Sequence, residues 1–93
     1  MITHIVLWKL KERSDVPSVR AQLESLSARV PGIERLIVGT PPDPQDPMAD
    51  ISLYTEFASW DALRAYQVHP EHQKVVAYLK PRVAERHVSD YES

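Results

Sequence analysis

Cysteine is absent from the 93 residues. Disulfides, zinc fingers, iron–sulfur ligation and cysteine nucleophiles are excluded with it. Glycine occurs only twice, at Gly32 and Gly39, so no glycine-rich loop is present to cradle a phosphate. Neither charge sign is in large excess: 11 basic and 13 acidic side chains leave a net charge of −2. A nucleic-acid binder normally carries a basic face, so no nucleic-acid partner is expected. No apolar run approaches the ~20 residues that span a bilayer, so no membrane partner is expected either. The opening stretch lacks a basic leader, and its apolar run is broken at His4 and Lys9. It does not read as a secretory signal, and a cytoplasmic protein is the expectation.

What is present is ordinary for a globular chain: 43% hydrophobic and 26% charged residues. The length fits one small domain over residues 1–93, which buries only ~60–65% of its unfolded surface. Four of the eight prolines fall in Pro41-Pro42-Asp43-Pro44-Gln45-Asp46-Pro47. Proline removes backbone donors and fixes φ, so this stretch is expected as an extended surface loop within the domain.

Residues 2–10 alternate, with His4, Val6, Trp8 and Leu10 on one face and Ile5, Leu7 and Lys9 on the other, which predicts a first strand. Val16, Val19, Leu23, Leu26 and Val30 make a helical stripe over 16–30. Asp15 or Ser14 is available to cap it, Pro17 suits its first turn, and Pro31-Gly32 ends it. Residues 33–40 and 50–57 predict the second and third strands. A second helix follows the cap residue Ser59, with Asp61 in its first turn and Trp60, Leu63 and Tyr66 as its apolar ridge. His69-Pro70 interrupts it, because the residue before proline is pushed out of the α region. A new or kinked helix starts at Pro70, carries His72, Val75, Val76 and Leu79 on one face, and stops at Pro81. Residues 83–91 predict a fourth strand.

The order β-α-β-β-α-β, with its second helix split, predicts an α+β ferredoxin-like fold: a four-stranded antiparallel sheet with helices on one face. The other face then leaves Ile5 and Leu7 uncovered. An apolar sheet face of this kind marks an interface, and a second copy stacked sheet to sheet as a homodimer is the simplest cover.

The chain resembles the stress-responsive A/B barrel (Dabb) family of dimeric α/β barrels. The resemblance runs over nearly the whole length. It rests on Ile2-Thr3-His4-Ile5-Val6-Leu7-Trp8-Lys9-Leu10, on Tyr66-x-x-His69-Pro70-x-His72, and on Asp90-Tyr91. It implies a homodimer whose sheets pair face to face into a barrel. Most members have no assigned reaction. One plant member closes a polyketide chain by aldol chemistry. Its catalytic tyrosine and histidine fall on Tyr66 and His72, and a pocket histidine falls on His4. A further pocket histidine falls on Ile51, which departs from that pattern and argues against the same substrate.

His72 sits on the apolar face of its helix. Burial keeps such an imidazole neutral, so it can accept a proton from a carbon next to a carbonyl. The Tyr66 hydroxyl can hold the carbonyl oxygen as charge develops. The competing reading of His72 is a core histidine bonded to a backbone carbonyl at the helix break. His69 reads as the cap of the second half-helix. His4, on the face the helices cover, either joins the pocket or only hydrogen-bonds there. Trp8, Leu53 and Trp60 are the candidate ligand-binding walls, although Trp8, Trp60, Tyr54 and Phe57 read first as core aromatics. His69 and His72 lie three apart, yet no carboxylate is placed to complete a metal site with them, so no metal is assigned. No cofactor is called for. His87 reads as surface or dimer rim.

Three functions remain open. The first is a small-molecule binder or enzyme, cyclase- or lyase-like, using Tyr66 and His72. The second is a non-catalytic, stress-linked oligomer. The third is a cofactor-free monooxygenase of a related barrel family. A cavity of ~300 Å³ or more lined by Tyr66, His72 and His4 favours the first; a filled interior favours the second.

Overall fold

The computed structural model describes residues 1–42 and 49–93. The strands are β1 (Ile2–Leu10), β2 (Arg35–Gly39), β3 (Ile51–Phe57) and β4 (Val83–Glu92). The helices are α1 (Val16–Glu24), α2 (Leu26–Arg29), α3 (Trp60–Val68) and α4 (Pro70–Leu79), with 3-10 turns at Arg13–Asp15 and Lys80–Arg82. The strands form one antiparallel sheet in the order β2-β3-β1-β4. This is the ferredoxin-like α+β arrangement, with the second helix split into α3 and α4.

Register fixes the two faces, because residues paired across antiparallel strands point the same way. Ile2, His4, Val6 and Trp8 pair with Phe57, Thr55, Leu53 and Ile51. All eight are buried. Val19, Leu23, Leu26, Leu63, Tyr66, Val75 and Leu79 cover them from the helices. The opposite face carries Ile5 and Leu7, with Tyr54 and Ser52 on β3 and Ile37 on β2. On that face Leu7, Ile37 and Tyr91 remain exposed.

Four local expectations are corrected. The first helix is not continuous over 16–30. It divides at Ser25, whose hydroxyl donates to the Gln22 carbonyl at 2.6 Å, and Val30 is already extended. Serine competes for backbone acceptors in this way and bends helices. The apolar stripe still continues through Leu26 and Val30 into the core. Asp15 makes no side-chain cap, because a 3-10 turn leads into α1 and holds Asp15 itself in helical geometry. Trp60 is 40% exposed and is not part of the α3 ridge. A step of three residues falls short of a full turn, so positions 60 and 66 diverge and only Leu63 and Tyr66 face the sheet. The expected strand over 33–40 is confined to Arg35–Gly39.

Other signals hold. Ser59 caps α3 by accepting from the Ala62 amide at 3.1 Å. Gly32 follows the first helical segment with φ +92, a conformation suited to glycine. Of the expected proline loop, Pro41 and Pro42 are exposed, and residues 43–47 lie outside the described residues. Among the described residues no helix is long and apolar enough to cross a membrane.

Candidate functional site

The site is built by the break between α3 and α4. In an uninterrupted helix the amides of residues 70 and 71 would bond to the carbonyls of Tyr66 and Gln67. Pro70 has no amide hydrogen. Instead the His69 amide reaches the Tyr66 carbonyl at 3.2 Å. The Glu71 amide turns to the His69 Nδ1 at 3.1 Å, so His69 caps α4 as expected. The Gln67 carbonyl is thereby left for side chains. It takes the Gln73 amide Nε2 at 2.6 Å and the His72 Nδ1 at 3.1 Å.

A carbonyl only accepts, so the His72 Nδ1 carries the hydrogen and Nε2 keeps its lone pair in the neutral ring. The core-histidine bond expected at the break is therefore present. It also defines a base. Burial, the largest cause, holds the His72 imidazole below its usual pKa; the bond to Gln67 acts against this, and the nearby His4, Arg86 and His69 act with it.

Tyr66 packs between the histidines. Its ring centroid is 4.3 Å from that of His72, 6.1 Å from that of His4 and 5.0 Å from that of Phe57. Burial pushes the Tyr66 phenol well above its ordinary pKa, with the Arg86 guanidinium pulling the other way. The hydroxyl therefore stays protonated at neutral pH, as a donor. His4 is buried, and its Nδ1 is bound to the Asp90 carboxylate.

These three rings line a cavity of about 350 Å³ between sheet and helices. Val6, Trp8, Leu53 and Val75 are among its apolar walls, and Lys80, Val83 and Arg86 stand on the α4–β4 side. Residues 2–93 match the stress-responsive A/B barrel domain. The chain belongs to that family. No curated protein matches it. It is similar to a dimeric ferredoxin-like protein of unknown function from Bacteroides fragilis NCTC 9343, with 31% identity and a TM-score of 0.86, over 99% of this chain and 95% of that one. The same fold is found in a hydroxynitrile lyase from Passiflora edulis (18% identity, TM-score 0.82, 97% and 90% covered). It is found again in SnoaB, a cofactor-independent oxygenase from Streptomyces nogalater (16% identity, TM-score 0.77, 99% and 91% covered). At those identities the likeness is one of fold alone.

In this stress-responsive A/B barrel, five of the six candidate residues meet at one cavity: Tyr66, His72, His4, Trp8 and Leu53. Trp60 does not; it lies exposed at the start of α3, outside the lining. His69 is engaged at the helix break, and His87 is exposed. Among the described residues no group of three His, Asp or Glu side chains is arranged to hold a metal ion. Asp90, Arg86 and Lys80 were not visible as site residues from sequence. The available signal was the strand alternation itself: β4 pairs Asp90 with His4, Val88 with Val6 and Arg86 with Trp8, all on the cavity face.

A histidine with a depressed folded pKa takes its proton more readily in the unfolded chain. Its contribution to stability is whole above the unfolded pKa of about 6.5 and is lost as pH falls toward the folded value. In an NMR titration His72 is expected to remain neutral and Nδ1-protonated below that pH. Stability should then fall more steeply on acidification in wild type than in His72→Gln. A His72 midpoint at or above the ordinary value contradicts the assignment.

Proposed function

We propose that the cavity binds a small carbonyl compound and that His72 removes a proton from the carbon beside the carbonyl. The C–H electron pair moves into the enolate, whose oxygen accepts a hydrogen bond from the Tyr66 hydroxyl. The proton rests on His72 Nε2 and is returned to product. The observation that supports this most is the bond from His72 Nδ1 to the Gln67 carbonyl, which leaves Nε2 as the acceptor in a 350 Å³ cavity shared with Tyr66. A filled interior would have favoured an assembly role instead. His4, held by Asp90, and the apolar walls Trp8 and Leu53 orient the ligand. A hydroxynitrile lyase is among the proteins that share this fold.

Acetophenone dissolved in D2O tests the reading. Wild type should speed loss of its methyl proton signal. His72→Gln should slow that exchange by ~10²–10⁴-fold. Tyr66→Phe should cost no more than ~2.7–4 kcal/mol of barrier, with both variants melting as cooperatively as wild type. Exchange at the wild-type rate in His72→Gln overturns the catalytic role. A large loss of thermal stability without any loss of exchange assigns His72 to structure alone.

The uncovered sheet face supports a homodimer, sheet against sheet, and the Bacteroides fragilis neighbour is itself dimeric. Leu7 and Ile37 are 39% and 44% exposed and Ile5 is half-buried, so each gains part of the ~1.5–3 kcal/mol that full burial of such a side chain is worth. Light scattering at micromolar concentration should give a dimer. Replacing Ile5 and Leu7 together by Asp should give monomer or unfolded chain. A monodisperse wild-type monomer contradicts the barrel.

A further inference from the structure

We propose that the α4–β4 side of the cavity, between Lys80 and Arg86, is an anion subsite, and that the ligand is an organic acid with an apolar body and one carboxylate. This rests on the cavity reading above and adds a substrate class to it. The lining is apolar apart from His4, Tyr66, His72 and the two cations, and it includes no Asp or Glu. Arg86 stands opposite Trp8 in the β1–β4 register, so its side chain leaves the sheet on the cavity face. It is close enough to influence both Tyr66 and His72.

Most other guanidinium groups have acceptors, among them Arg29, which binds Glu71 at 2.9 Å, and Arg82, which donates to the Tyr78 carbonyl at 2.7 Å. Among the described residues neither Arg86 nor Lys80 enters a salt bridge. The nearest acid on the same face of β4 is Asp90. It is engaged by His4 and lies about 13 Å along the strand from Arg86. Lys80 at the end of α4 is also favoured there by the helix dipole, so Arg86 is the more telling of the two cations. A guanidinium presents paired donors that match a carboxylate. Beside an apolar cavity, an unpaired one selects a ligand with a charged end and an apolar remainder.

Octanoate and its neutral counterpart octanamide separate the cavity from the subsite. Calorimetric titration of wild type should show octanoate binding about tenfold or more tightly than octanamide. Added salt should weaken octanoate alone. Arg86→Gln should remove most of the preference, weakening octanoate far more than octanamide, with a cooperative melt showing that the variant is folded; Arg86→Lys should retain part of it. Equal affinity of wild type for the two compounds, or equal weakening of both in Arg86→Gln, overturns the anion subsite and leaves the cavity reading standing. Failure of wild type to bind either compound overturns both.

Discussion

Pro70 has no amide hydrogen, and the chemistry of this fold is arranged around that fact. A continuous helix from Trp60 to Leu79 would occupy the Gln67 carbonyl with a backbone donor. The break releases it, and His72 Nδ1 takes it. One bond thus fixes the ring, its tautomer and the nitrogen left for proton transfer. His69 supports the same junction by capping α4 through Glu71. Removing Pro70 would then act on His72 through the backbone, without touching the cavity walls.

The sheet supplies the second constraint. Its helix-covered face is fully buried where β1 meets β3, yet it holds His4 and Thr55 among apolar neighbours. Both are satisfied: His4 by Asp90, and Thr55 by donating to the His4 carbonyl at 3.0 Å. Buried polar groups persist only when so paired. The pairing keeps His4 beside Tyr66 rather than turned toward solvent. The helices reach β1 and β3 but leave β4 largely uncovered, and the cavity lies beside that edge, where Lys80, Val83 and Arg86 join its wall.

Much of this was legible in the residues. Alternation gave both faces of β1. The His69-Pro70 pair gave the break, and helical spacing gave Tyr66 and His72 on covered faces. Other parts were not legible. The bend at Ser25 turns on one hydroxyl finding a carbonyl. Trp60 satisfies a spacing of three but sits too far round the helix to be buried. Asp50 is buried because it accepts the Leu10 amide at 2.8 Å, a long-range bond that no local pattern encodes. β4 is charged and exposed on both faces, so hydropathy leaves its orientation undetermined. Only the register with β1 turns Asp90 and Arg86 toward the cavity.

In the proposed reaction His72 Nε2 and the Tyr66 hydroxyl face one small-molecule site. A crystal structure grown with acetophenone tests it most directly. The ketone oxygen should lie within hydrogen-bond distance of the Tyr66 hydroxyl, and the methyl carbon within about 3.5 Å of His72 Nε2. Ligand density confined to the open sheet face, or a His72 ring turned so that Nε2 meets the Gln67 carbonyl, would contradict it.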